Sequence, residues 1–140
     1  MADVVFNSAK VDLANGNIDW VNDTIKVMLV NGYTPDQDAH NFIDDVSGDE
    51  ISGTGYTAGG KALANKTNTQ DNTNNRAKLD ADDVVWTNST LTADGAVYYK
   101  DTGTPSTSPV LKYLDFGGAK SSTADDFTIQ HHADGVLLLT

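Results

Sequence analysis

Apolar and polar residues alternate over much of this chain, and a period of two predicts strands. Val4 and Phe6, then Val11 and Leu13, follow that spacing, and Asn15-Gly16 after them is a strong hairpin signal. Ile18 and Trp20 resume the alternation beyond it. Asn22-Asp23 turns the chain into Thr24-Ile-Lys-Val-Met-Leu-Val30. That run is β-branched and almost continuously apolar, the pattern of a central strand covered on both faces.

Residues 34–46 change period. Thr34 and Gln37 make a Thr-x-x-Gln capping box, and Pro35 suits a first helical turn. Ala39, Phe42, Ile43 and Val46 then fall at i, i+3, i+4, i+7, one apolar stripe. These signals predict one short α-helix over about residues 35–46. Glycine dominates residues 47–60, where Ile51 and Tyr56 are the expected anchors. Residues 62–69 read as extended and the polar tract 70–75 as a turn. Residues 76–80, 84–86, 96–100 and 110–116 read as strands, with loops over 102–109 and 117–126. Residues 127–131 and 136–139 read as a closing hairpin around Asp134-Gly135. The whole predicts a single β-rich domain over residues 1–140, an antiparallel β-sandwich or barrel with that one helix.

Charge narrows the function. Twenty acidic residues face nine basic ones, a net charge of −11, which disfavours a protein that grips nucleic acid. Glu50 is the only glutamate, so the acid is aspartate, a residue of turns and caps. The chain has no cysteine, which removes disulfides, thiolate metal sites and thiol nucleophiles. No apolar run reaches the roughly 20 residues needed to span a bilayer, and no secretory leader is visible at residues 1–6. A soluble protein made in a cytoplasm is expected. The glycosylation-type triplets at Asn22, Asn65 and Asn88 then carry no weight.

Candidate chemistry is thin. The glycine-rich segment 52–60 precedes Lys61, but lacks Walker spacing and the Ser or Thr that must follow the lysine, so it reads as a structural loop. The aspartate pairs Asp44-Asp45, Asp82-Asp83 and Asp125-Asp126 resemble calcium ligands only in type, since no loop has EF-hand spacing. Turn charges and helix ends are the expected reading. His131 and His132 would point to opposite faces of a strand, and nothing in the spacing brings His40 to either. Trp20, Trp86, Tyr98 and Tyr99 would serve either as a sugar-binding face or as core packing. No catalytic residue, cofactor site or metal ligand is expected, and no enzyme.

Several segments together resemble a family. These are Asp23-Thr-Ile-Lys-Val-Met-Leu-Val30, Tyr33-Thr-Pro-Asp36 and Asp38-Ala-His40, then Ser52-Gly-Thr-Gly-Tyr-Thr-Ala-Gly-Gly60 with Leu63-Ala-Asn-Lys66. Leu79-Asp-Ala-Asp-Asp83, Trp86-Thr-Asn-Ser-Thr90 and Tyr99-Lys-Asp-Thr-Gly-Thr104 continue the likeness. It resembles a family of small structural proteins of tailed bacteriophages and prophages, over most of residues 23–139. The resemblance implies a virion protein without catalytic machinery. A capsid decoration or cement protein is the leading expectation, bound to the outside of the head and bridging capsid subunits. Its partners would be the major capsid protein, copies of itself in a homo-oligomer, or both, with no nucleic acid and no membrane. Residues 1–14 are expected as an arm or strand for a neighbour. The alternatives are a tail tube or head–tail connector protein, and a receptor- or carbohydrate-binding domain of a fibre or head spike.

Overall fold

The computed structural model describes residues 2–140 and is mainly β, with antiparallel sheets and one α-helix among the described residues. In chain order the elements are β1 (Val4–Val5), α1 (Asn7–Ala14), β2 (Ile25–Val30), β3 (Lys61–Ala62), β4 (Thr67–Asp71) and β5 (Arg76–Asp80). They continue with β6 (Val84–Ser89), β7 (Thr92–Lys100), β8 (Val110–Ser121), β9 (Asp125–Ile129) and β10 (Leu137–Leu139). The main sheet has the order β1-β8-β7-β2-β3, beside a three-stranded sheet β10-β5-β4 and a pair β6-β9. The arrangement is sandwich-like, around one cluster of buried side chains that includes Phe6, Trp20, Leu29, Val97, Tyr98, Val110 and Phe127.

The apolar run 24–30 becomes β2, buried at every position except Lys26. It pairs with β7 from Ile25↔Lys100 to Val30↔Gly95, and its other edge meets β3. Each fully buried aliphatic side chain contributes about 1.5–3 kcal/mol, which makes this strand the anchor of the core. Beyond β7 and β8 the ladder breaks at a corner. Leu91 and Ser122 still exchange backbone hydrogen bonds (3.2 and 2.9 Å), and past them β6 pairs with β9 instead. Asn88 (φ 47°) and Ala124 (φ 47°) take the left-handed turn there.

The helix is not where the stripe predicts it. Residues 35–46 hold only a single 3-10 turn at Ile43–Asp45, because neighbouring segments use the backbone that a helix would need. Asp36 Oδ1 takes the N–H groups of Asp38 (3.1 Å) and Ala39 (3.0 Å), Ile43 N–H goes to Ser108 O (2.9 Å), and Asn41 O accepts from Val110 N–H (3.1 Å). Phe42, an intended core residue, is left 39% exposed, while Ile43 and Val46 are buried. The helix is α1 instead. Phe6 and Ala9 are fully buried at i and i+3, and Leu13 packs on the core at i+7. Asn15-Gly16 therefore ends a helix rather than turning a hairpin. Asn15 donates to Val11 O (2.9 Å) and Gly16, at φ +77°, donates to Leu13 O (3.3 Å).

The N-terminal residues, expected as an arm for a neighbour, here engage their own chain. Val4 and Val5 pair with Tyr113 and Lys112 of β8, and Phe6 N–H reaches Leu111 O (3.1 Å); Met1 lies outside the described residues. The closing hairpin is also absent: β9 pairs with β6 and β10 with β5. Residues 117–121, read as loop, extend β8, with an excursion opposite β7 between Asp115↔Gly95 and Lys120↔Ala93.

The tract 70–75 closes the β4–β5 hairpin. There Asp71 accepts from the Asn74 side chain (2.9 Å) and from Arg76 Nε (2.8 Å), and these two hydrogen bonds lower its pKa to about 2. A folded-state pKa below the unfolded value supports the hairpin above that unfolded value, and the support is lost as pH falls toward 2. In an NMR acid titration the Asn74 side-chain amide should move with a midpoint near 2; a midpoint at the ordinary 3.8 would refute this contact.

Candidate functional site

The glycine-rich strap over residues 52–60 is anchored by the lone glutamate. Glu50 Oε1 accepts from the Tyr56 hydroxyl (2.8 Å) and from Gly59 N–H (2.6 Å), and Tyr56 Oη takes Leu29 N–H from β2 (3.1 Å). Burial raises the Tyr56 pKa far above its ordinary value, and Glu50 adds to the shift, so Tyr56 stays a donor. Tyr99, likewise raised by burial and then by Asp101, donates to Gly59 O. Beside the strap lies a cleft of about 350 Å³ lined by Lys26, Met28, Glu50, Tyr99, Asp101 and Ser108. Its charges are already paired or bonded: Lys26 Nζ sits 2.8 Å from Asp101 Oδ2. Lys61, which follows the strap, donates to Val85 O. The strap is a structural loop that crosses β2.

The three aspartate pairs lie apart, on the 3-10 turn at Ile43–Asp45, on the β5–β6 connection and at the start of β9, and each is engaged in structural hydrogen bonds. Asp45 Oδ2 accepts from Asn41 N–H (2.9 Å) and Phe42 N–H (3.2 Å). Asp82 holds the Asn65 amide, Asp83 takes His131 N–H (2.7 Å), and Asp125 takes the N–H of Asp126 (2.8 Å). Among the described residues no three His, Cys, Asp or Glu side chains converge as a metal site would require.

The histidines are apart as well. His40 Nδ1 accepts from the Tyr33 hydroxyl (2.6 Å) and Asp36 N–H (3.2 Å), which leaves its proton on Nε2. His131 does the reverse: Nδ1 faces Ala81 O (3.1 Å) and so carries the proton, and Nε2 accepts from Tyr98 (2.9 Å). His132 is exposed beside Asp134. Trp20 and Trp86 are 3% and 4% exposed, and Tyr98 and Tyr99 are buried with them. Trp20 Nε1 reaches Asp80 O (3.1 Å), and Trp86 meets Phe127 edge-on at 6.1 Å. These four aromatic side chains belong to the buried core.

One of the open clefts is lined mainly by apolar side chains. A cleft of about 510 Å³ lies between the C-terminal half of α1 and the β4–β5–β10 sheet, lined by Lys10, Leu13, Ile18, Trp20, Leu79 and Leu139. Leu139 is 38% exposed there, and Val11 on α1 is 59% exposed. Comparison with protein-family models, with curated proteins and with solved structures finds no match to this chain. The surface itself must carry the functional reading.

This cleft is absent from the sequence reading because its helical wall reads there as a strand. One signal was available: Phe6, Ala9 and Leu13 also fit a helical period, and residues 7–14 include Ala, Lys and Leu, which favour helix. The role of Glu50 had no local signal, since its partners Tyr56 and Gly59 lie six and nine residues on.

Proposed function

We propose that this chain is a non-enzymatic structural protein of a tailed-phage virion, a capsid decoration or cement protein. It binds the outer surface of the head and bridges neighbouring capsid subunits. The observation that carries this reading is a contrast: the polar side chains singled out in the sequence serve turns, straps and strand pairing, while the α1 cleft is lined mainly by apolar side chains, among them exposed Leu139. Exposed apolar groups next to a cleft mark an interaction surface more than a reaction site. The net charge of −11 supports an outward-facing position, because packaged DNA repels an acidic surface. The resemblance to small virion proteins points the same way.

A stable contact with the capsid needs about 1,000 Å² or more of buried surface, and repetition on a lattice supplies it from several neighbours. Cryo-EM of the parent particle tests the proposal. Density for this fold on the outer head lattice is the expected result. Density in the tail tube or at the head–tail joint would replace it with the connector reading, and a particle lacking the protein would end the virion reading altogether.

A further inference from the structure

The chain contains two Asn-Gly pairs, Asn15-Gly16 and Asn31-Gly32. Such a pair can modify itself. The glycine nitrogen attacks Cγ of the asparagine side chain, the side-chain nitrogen leaves as ammonia with the displaced N–H proton, and a cyclic imide closes. Water then opens the imide to aspartate or isoaspartate, so asparagine and water become a carboxylic acid and ammonia. Glycine favours the step because no side chain obstructs the backbone rotation it needs.

In this fold the two pairs are almost matched. Gly16 has φ +77° and Gly32 has φ +75°, a Cβ on either would meet nothing within 4 Å, and both asparagines are exposed. What differs is the acceptor of the glycine N–H, a bond that must break before the nitrogen attacks. Gly16 N–H goes to Leu13 O at 3.3 Å, longer than an ordinary N–H···O bond, at the end of the eight-residue α1. Helix ends fray, and Val11 in the last turn is 59% exposed. Gly32 N–H goes to Asp94 Oδ2 at 3.0 Å, a charge-assisted bond. Both flanks of that pair are fixed as well, since Val30 pairs with Gly95 and Tyr33 is buried. Asp94 Oδ1 is itself buried without a hydrogen-bond partner among the described residues. A carboxylate held there with one oxygen unsatisfied opposes folding, and the Gly32 N–H is what its other oxygen holds.

From this contrast we propose that the chain deamidates spontaneously at Asn15, and that Asp94 guards Asn31 against the same reaction. Ala14 and Gly16 line the α1 cleft, so the new carboxylate stands at its rim. It also stands at the C-terminal end of α1, in the same turn as Asp12, where the helix dipole disfavours negative charge. The isoaspartate product puts an extra carbon into the backbone just before Gly16. The reaction is intramolecular and is independent of the virion reading.

The test is to age the purified chain in mildly alkaline buffer made with water labelled in its oxygen, then digest it and map the label by mass spectrometry. Label should enter at Asn15 at least ~10-fold faster than at Asn31, the rate factor set by breaking one charge-assisted bond first. Asp94→Ala should raise the Asn31 rate by at least ~10-fold and leave Asn15 unchanged. The Asn15 rate is the internal control, because a variant that merely unfolds more often speeds both sites. Amide hydrogen exchange on the wild type is the second readout, with Gly16 exchanging faster than Gly32. Equal rates at the two sites in the folded wild type overturn the proposal, as does a faster Asn31 or no reaction at Asn15. An Asp94→Ala chain with Asn31 unchanged, or with both sites faster together, overturns the guarding role of Asp94, and so does a Gly32 amide that exchanges as fast as Gly16.

Discussion

Gly60→Ala is expected to prevent folding or to cost about 4 kcal/mol or more, the size reserved for a residue with no room to move. A Cβ on Gly60 would stand 1.8 Å from Val27 O, 2.6 Å from Val27 C and 2.9 Å from Met28 Cα. All three are backbone atoms of β2, the most completely paired and buried strand, so none can swing aside. Gly60 also has φ +86°, a conformation that side chains disfavour. Both effects act together: the strap can neither approach β2 nor turn toward β3. Urea denaturation measures the result, and a variant within about 1 kcal/mol of wild type would show that the strap does not lie on β2.

Ser89→Ala should cost about 3 kcal/mol, large for the loss of one oxygen. Ser89 is fully buried at the corner between the β7–β8 and β6–β9 pairs. Its Oγ lies 2.9 Å from Trp86 O, 3.0 Å from Asp125 O and 2.9 Å from Ser122 Oγ. One hydroxyl hydrogen serves one carbonyl at a time, and Ser122 Oγ, bonded to Ser89, also accepts Leu91 N–H (3.2 Å). Removing Ser89 Oγ strands those groups away from water, each at about 1–3 kcal/mol. Ser122→Ala should cost less, and the double variant should show coupling of at least ~0.5 kcal/mol, as residues of one network do. Additive effects would mean that the two hydroxyls act separately.

The strand that reads best is the one whose burial is nearly complete along its own length. The β2 run is apolar on both faces, so the sequence pattern and the tertiary environment coincide. Residues 35–46 carry a sound helical pattern, but helix propensity is a weak prior. Asp36, Asp45 and the backbone of residues 108–110 hold that segment by other bonds, none of them visible in a local window. Residues 7–14 failed in the opposite direction. Val11 and Leu13 fit a strand, but Val11 is exposed and the buried positions are Phe6 and Ala9. The site followed the fold: once residues 7–14 are a helix, the cleft has its wall. The histidines, aspartate pairs and aromatics were each readable as types, and only the structure assigns them to turns and core.

The pairing of β2 with β7 also sets a timetable. Ile25 meets Lys100 and Val30 meets Gly95, so the apolar run 25–30 has no main-sheet neighbour on that side until some sixty residues later have been made. At roughly 5–20 residues per second, a ribosome leaves that strand unmatched for about 3–13 s. Its remaining edge meets only the two residues of β3, also made after it. During those seconds the segment that later anchors the core is the stickiest part of the growing chain. The main sheet of this chain therefore closes only after β7 has been made.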